Sequence, residues 1–142
     1  MFVFRMHANL REVFDTTGAV LYPGRWHSAG TRVVYAAEHG SLAVLETLIH
    51  AGGRKMPPRA LTRIEILDEV SVEISGWLDT PYSQAFGDLW VREKRSAVLR
   101  VPSIAVNKME SNFLFNPRHP AFARIRHNPP QAFVFDPRFF AI

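Results

Sequence analysis

Residues 23–37, PGRWHSAGTRVVYAA, join a turn-forming segment to the start of a strand. Pro23, Gly24 and Gly30 favour turns, whereas residues 32–37 are rich in β-branched and aromatic side chains, as strands are. The same passage carries a guanidinium, an indole, an imidazole and a phenol. It therefore predicts a loop that leads into a strand and offers side chains suited to recognition.

A strand pattern precedes this segment, and both helix and strand patterns follow it. Leucine and isoleucine recur at helical spacing over 41–51 and two glycines follow, which predicts a helix. A second helix is predicted with Thr80 as N-cap and Pro81 as first residue, ending near Lys94. Residues 7–24 show no clean period and are predicted to be loop. The predicted strands are 2–6, 32–37, 60–67, 97–106 with a bend at Pro102, and two short ones in the tail around ARIRHN and AFVFDP.

These elements are intermixed without a regular βαβ rhythm, which predicts the α+β class. The chain has 142 residues, the size of one domain, and no repeat or linker interrupts it. We therefore expect a single domain over 1–142.

Composition limits the function classes. The chain has no cysteine, which excludes disulfides and thiol catalysis and fits a cytoplasmic location. It has neither a signal-peptide pattern nor an apolar run near the roughly 20 residues of a membrane span, so no membrane association is expected. Its 17 basic and 13 acidic residues give a net charge of +4, which favours anionic partners. The basic residues are scattered along the chain rather than gathered into a tract, so the charge does not predict direct nucleic-acid binding.

Glu46 is an acidic residue beside the apolar stripe of the first predicted helix, a position that requires an explanation. At 100° per residue it lies about 40° from Leu42 and about 60° from Ile49, beside the predicted apolar stripe. One interpretation is a boundary glutamate that pairs with an arginine or reaches solvent. The other is a catalytic carboxylate in a partly dry pocket.

Three other side chains are candidates for the same site. Tyr35 ends a strand directly before the helix, and Arg25 lies in the preceding loop; both can reach Glu46 if strand and helix pack as neighbours. The alternatives are a core aromatic for Tyr35 and a solvated surface group for Arg25. Ser103 follows a proline in a bent strand, where a serine either enters a cleft or bonds to backbone.

Several familiar site patterns are missing from the sequence. Asn112 and Asn116 look like loop-closing amides. No G-x-S-x-G elbow, G-x-G-x-x-G or P-loop is present. His27, His119 and His127 lack metal-ligand spacing, so no metal site is predicted.

Four blocks carry a resemblance to a known family: GRWHSAGTRVVYAA, LAVLETLIH, VPSIAV and NFLFNPRHPAFARI. In this order and at about these intervals the chain resembles the RES-domain family, named for Arg, Glu and Ser. The resemblance implies a fold similar to ADP-ribosyltransferase toxins, with mixed sheets and flanking helices. It also implies a toxin of a bacterial type II toxin–antitoxin pair that depletes NAD by splitting its nicotinamide–ribose bond, with water or phosphate as acceptor.

The family's functional positions fall on Arg25, Tyr35, Glu46 and Ser103, with the expected asparagine at 112. The resemblance implies that Glu46 stabilises the oxocarbenium ion and that Arg25 binds the phosphates. Tyr35 would offer its ring to nicotinamide or its hydroxyl to ribose, and Ser103 would bind a ribose or carboxamide group. NAD is then a substrate, and no cofactor is expected.

Two other functions stay open. The first is transfer of ADP-ribose to a protein or nucleic acid, and the second is a non-catalytic basic binding module. The resemblance also implies an Xre-type antitoxin with a helix-turn-helix. We expect this antitoxin to cover the cleft between the Arg25 loop and the Glu46 helix. Nucleic acid would then be bound only indirectly, through the antitoxin.

Overall fold

The first strand lies inside the sheet rather than at its edge. In the computed structural model, which describes residues 1–9 and 11–140, β1 (Phe2–His7) pairs antiparallel with β2 (Val34–Ala37) and with β3 (Arg59–Glu65). The sheet order is β4-β5-β6-β2-β1-β3-β7, and β8 also pairs with β3. The remaining strands are β4 (Val72–Ile74), β5 (Val98–Pro102), β6 (Ser111–Phe115), β7 (Arg126–His127) and β8 (Gln131–Phe133). Among the strands of the described residues only β4 and β5 run parallel, so the sheet is mixed and the predicted α+β class is confirmed.

The part of the chain that the structure describes has three α-helices: α1 (Thr17–Leu21), α2 (Gly40–Ala51) and α3 (Tyr82–Glu93). Helix α2 matches the prediction, and Gly52 ends it at φ 60°, a left-handed conformation that suits glycine. Helix α3 starts later than predicted, because Pro81 is the N-cap and Tyr82 the first helical residue. Neither these helices nor any other in the described ranges is long and apolar enough to span a membrane.

The sequence patterns did not predict strands β4 and β6 or helix α1. Strand β4 is short and half exposed, so it shows no apolar run. Strand β6 contains Asn112, which is therefore not the loop amide that we predicted. Helix α1 lies within the predicted loop. None of its residues is buried, so its sequence shows no helical spacing of apolar residues. The strand predicted over 97–106 stops at Pro102, and a 3₁₀ turn follows at Ile104–Val106.

The core has two large parts and one small one. One large part is formed by Val3, Val13, Val34, Ala36, Ile64, Ile66, Val70, Ala97, Val98, Phe113, Phe115 and Ile125. The other is formed by Trp26, Val33, Trp90, Leu99, Val101 and Leu114, with Phe86 and Val91 of α3 packed against it. The small part joins α2 to the sheet through Ala37, Leu42 and Ala43.

The predicted inward stripe of α2 is only partly correct. Leu42 is buried, but Leu45 and Ile49 are 42% and 55% exposed. The small side chains Ala43 and Ala51 are buried in their place. As a result the Glu46 side of the helix faces cavities rather than a filled core.

Helix α3 holds the 23–31 segment at very close range. A Cβ on Gly87 would lie 1.7 Å from the backbone oxygen of Trp26. Ser83 Oγ donates to the Arg25 carbonyl at 2.5 Å, and Gln84 Nε2 donates to the Gly24 carbonyl at 2.9 Å. Residues 23–31 are thus held in place by helix residues about 60 positions later in the chain.

Candidate active site

The carboxylate of Glu46 accepts two hydrogen bonds from the sheet. Ser103 Oγ and Asn112 Nδ2 each donate to Oε1 at 2.8 Å. Within the described ranges no cation lies within salt-bridge distance of Glu46, so the predicted alternative of pairing with an arginine is wrong. Glu46 is half-buried, so the other alternative, contact with solvent, stays open. Two donors on one oxygen fix the rotamer and leave Oε2 open to another group.

The two donors come from neighbouring strands. Ser103 directly follows β5, and Asn112 lies in β6 opposite Val101 of β5 and Ala37 of β2. The backbone N–H of Ser103 donates to the Glu110 carbonyl at 2.9 Å, which continues the β5–β6 pairing. Sheet pairing therefore sets the distance between the two side chains that hold Glu46.

A cavity of about 730 Å³ brings most of the predicted site together. Arg25, Tyr35, Glu46 and Asn112 all line it. Its volume lies in the range of pockets that hold drug-sized ligands. Ser103 is fully buried and lines neither this cavity nor the smaller one described below, so its hydroxyl contacts Glu46 instead of the cavity.

The hydroxyl of Tyr35 is occupied within the protein. His27 Nε2 lies 3.1 Å and 3.0 Å from the carbonyls of Ala19 and Tyr22, which requires a proton on Nε2, so that in the neutral tautomer Nδ1 is the acceptor. Tyr35 then donates to Nδ1 at 2.7 Å and accepts from the Trp26 N–H at 3.3 Å. Burial raises the pKa of Tyr35 above its ordinary value. The ring, not the hydroxyl, is thus the part of Tyr35 available to the cavity.

Arg25 presents its guanidinium at the mouth of the cavity. Its side chain is exposed, with Cζ 5.1 Å from the centroid of the Trp77 ring and Nη1 3.5 Å from Thr80 Oγ1. Stacking on an indole orients the group without using its donors on a carboxylate. Arg25 can therefore bind an anionic ligand at the cavity wall.

Arg5 is a site residue that sequence reasoning missed. Nε and Nη1 donate to the carbonyls of Val13 and Tyr35 at 2.6 Å and 2.8 Å, and Nη2 donates to that of Asp15 at 3.3 Å. Burial lowers the pKa of Arg5 to about 10, although the nearby charge of Asp15 opposes the shift. A cation inside the otherwise apolar opening strand FVFRM was the available signal.

A second cavity, of about 350 Å³, lies against the first. The two share Arg5, Tyr35, Glu46, His50 and Asn112. His50 is also absent from the sequence prediction, although it follows Glu46 by one helical turn and so shares its face.

A group with the composition of a metal site lies outside both cavities. The ligand atoms of Glu38, His39 and Glu110 lie within 4.8 Å of one another. His39 Nδ1 is 2.9 Å from Glu110 Oε1, and Glu38 Oε2 accepts from the Ser111 N–H at 2.8 Å. These contacts tie the start of α2 to β6, and we assign the group no ion.

Comparisons with known proteins identify the family of this chain. The RES domain family model matches residues 2–136. The "Prs ADP-ribosylating toxin" of Sphingobium sp. (strain YBL2) is 38% identical over 134 residues, covering 85% of this chain and 83% of that protein. A "Toxin Res" of Yersinia enterocolitica is 33% identical over 144 residues and covers 94% of each chain.

The fold has a solved counterpart. The structure titled "Crystal structure of the M.tuberculosis MbcT-MbcA toxin-antitoxin complex" contains a chain that superposes with a TM-score of 0.73 at 14% identity, covering 93% of this chain and 83% of that one. At this identity the likeness supports the fold alone. The family match spans nearly the whole chain. The chain therefore belongs to the RES domain family.

Proposed function

We propose that this protein is the toxin of a toxin–antitoxin pair and that it cleaves the nicotinamide–ribose bond of NAD, with water or phosphate as acceptor. The observation that carries the proposal is the carboxylate of Glu46, anchored by two hydrogen bonds on a cavity that Arg25 also lines. A fixed anion and an available cation on one pocket suit a substrate with a reacting sugar and a diphosphate.

Glu46 supplies the electrostatic stabilisation. When the bond breaks, its electron pair leaves with nicotinamide and the ribose carbon becomes cationic. A preorganised carboxylate stabilises this charge more in the transition state than in the substrate. Oε2, which carries no hydrogen bond from the described residues, is the oxygen that would face the sugar.

The other site residues bind the substrate or position Glu46. Arg25 has the planar fork that matches phosphate oxygens. The ring of Tyr35 can pack against nicotinamide, since its hydroxyl is already used by His27. Ser103 acts as a positioning residue through Glu46, because it does not reach the cavity. Asn112 positions Glu46 and lines the cavity as well.

The test is release of nicotinamide from NAD by the purified protein, with and without inorganic phosphate. Glu46→Gln keeps the side-chain volume and should lower kcat by about 10³-fold. Glu69→Gln, a change at an exposed residue outside both cavities, is the matched control and should leave kcat unchanged. Absence of turnover under both conditions refutes the proposal, and a Glu46→Gln rate near that of the wild type removes Glu46 from the mechanism.

A second candidate is transfer of ADP-ribose to a macromolecule, which the name of the Sphingobium relative favours. The same stabilised cation would then react with a nucleophile of a protein or nucleic acid. NAD labelled in its adenylate separates the two reactions. Label bound to a macromolecule supports transfer, whereas label found only in small products supports hydrolysis or phosphorolysis.

We also propose an Xre-type antitoxin partner that covers the larger cavity. Three exposed apolar side chains line that cavity: Tyr22, Ile49 and Ile104. Their exposure provides apolar area that a partner would bury at the cavity mouth. Co-purified antitoxin should therefore block NAD turnover, and full activity in the complex contradicts steric inhibition.

A further inference from the structure

Trp77 lies outside both cavities but contacts a residue of the candidate site. The centroid of its ring is 5.1 Å from Cζ of Arg25. Arg25 lines the larger cavity, whereas Trp77 lines neither. A guanidinium within about 6 Å of an indole centroid is attracted by the negative face of the ring. Any effect of Trp77 on a ligand in the larger cavity therefore passes through a neighbour, and Arg25 is a neighbour that reaches the cavity.

The guanidinium of Arg25 has few other contacts. Its Nη1 lies 3.5 Å from Thr80 Oγ1, which is longer than an ordinary hydrogen bond. Among residues 1–9 and 11–140 no carboxylate oxygen lies within 4.0 Å of its nitrogens. A long exposed side chain has many rotamers, and fixing one of them costs conformational entropy. The indole of Trp77 is thus the contact that most restricts this guanidinium.

The ring of Trp77 is itself held in place. Its Nε1 donates to Asp79 Oδ1 at 3.1 Å, and the side chain is half-buried. The next residue, Leu78, packs against the part of the core that contains Trp90. Lys108 Nζ also lies 4.7 Å from the ring centroid, so a second cation contacts the same ring. These contacts fix the indole independently of Arg25.

The segment that carries Trp77 also holds the backbone of Arg25. Ser83 Oγ donates to the Arg25 carbonyl at 2.5 Å, and the Ser83 N–H donates to the Asp79 carbonyl at 3.0 Å. Residues 77–83 therefore contact both ends of Arg25, the carbonyl through Ser83 and the guanidinium through Trp77. A side chain that is already ordered loses less entropy when a ligand binds it.

We propose that Trp77 is a positioning residue, which holds the guanidinium of Arg25 at the mouth of the larger cavity and so lowers the KM for an anionic substrate. The effect on NAD rests on the proposed function, whereas the contact between the two side chains does not. Because Trp77 does not reach the cavity, its loss weakens substrate binding and leaves bond cleavage by the bound enzyme as it is.

A double-mutant cycle isolates the pair. KM and kcat for NAD are measured at constant ionic strength for the wild type, Trp77→Leu, Arg25→Gln and the double variant. Trp77→Leu should raise KM about fivefold at unchanged kcat, and it should add nothing in the Arg25→Gln background. Trp77→Phe keeps a ring with a weaker negative face and should raise KM only about twofold. Lys108→Gln, which removes the other cation from the ring, should leave KM unchanged.

Three kinetic results overturn the proposal. One is a KM of Trp77→Leu equal to that of the wild type. Another is an equal further rise of KM when Trp77→Leu is added to Arg25→Gln, since Trp77 would then act without Arg25. The third is a rise in Lys108→Gln as large as that in Trp77→Leu, which assigns the effect to Lys108. If Trp77→Leu does not fold, Trp77→Phe takes its place in the cycle, with the smaller rise expected.

A second measurement needs no turnover. The indole N–H signals of the ligand-free protein are recorded by heteronuclear NMR, and the signal lost in Trp77→Phe belongs to Trp77. Arg25→Gln should shift this signal and leave that of Trp90, which donates to Ser96 Oγ at 2.9 Å, in place. An unshifted Trp77 signal overturns the contact whether or not NAD is cleaved. A shifted signal in a protein that does not cleave NAD supports the contact and refutes the proposed function.

Discussion

The hydroxyl of Ser103 donates a 2.8 Å hydrogen bond to the carboxylate of Glu46 across 57 positions of sequence. Both residues are candidates from the sequence, but their contact assigns them different tasks. Glu46 faces the cavities, and Ser103 holds it from the buried side. The first prediction tests this division.

Ser103→Ala should lower kcat for NAD cleavage by about tenfold and leave KM nearly unchanged. A hydrogen bond to a charged group contributes about 1.5–3 kcal/mol, and its loss frees the rotamer of Glu46 without removing a substrate contact. Steady-state kinetics measure the effect, with Ser71→Ala, an exposed serine, as control. A rise in KM at constant kcat would show instead that Ser103 binds substrate.

Arg5→Met should destabilise the protein by more than about 2 kcal/mol. Three backbone carbonyls, those of Val13, Asp15 and Tyr35, lose their donor, and a polar group left unpaired in a partly buried place is costly. Urea unfolding measures the change. Arg126→Met, at an exposed position, should stay within about 0.5 kcal/mol. Equal stability of the two variants would contradict the structural role of Arg5.

Gly87→Ala should unfold the protein or displace α3. The added methyl would lie 1.7 Å from the backbone oxygen of Trp26, and backbone cannot move aside as a side chain can. Gly18→Ala is the matched control, since Gly18 is also helical and has nothing within 4 Å of its Cβ position. It should be neutral or stabilising by up to about 1 kcal/mol. Thermal melts of both variants test the packing of α3 on residues 23–31.

The free energy of unfolding should decrease as the pH is lowered below about 6.5, because the ordinary pKa of a histidine such as His7 is about 6.5. Burial, opposed in part by the hydrogen bond to the Ala8 carbonyl, lowers the pKa of His7 in the fold. Its Nδ1 contacts that carbonyl at 3.1 Å and its Nε2 contacts Thr62 Oγ1 at 2.8 Å, which fits the neutral ring. The unfolded chain therefore takes up a proton first as pH falls, so acid favours unfolding.

The matched variant for this effect is His7→Gln, which cannot titrate. Melting temperatures at about pH 7.5 and pH 5.5 give the dependence for each protein. The wild type should lose more stability than His7→Gln over this interval. Equal losses would mean that other groups cause the acid sensitivity.

The local elements of this protein were readable from their residues. The period of α2 and the two glycines after it predicted a helix within one residue of its observed start. The β-branched run before it predicted β2, and the alternation in ALTRIEIL predicted β3. These signals are local, since burial on one face imposes a period on the residues themselves. Strand β4 and helix α1 were missed because neither buries a full face.

The sequence by itself determined the fold class, the family resemblance and the residue types of the candidate site. Only the tertiary structure decided what those residues touch. Pairing of β5 with β6 brings Ser103 and Asn112 onto one oxygen of Glu46, and the packing of α2 over the sheet leaves the two cavities beside it. The physical reason is that a hydrogen bond between residues far apart in sequence leaves no periodic trace, so its partners are fixed only when the chain has folded.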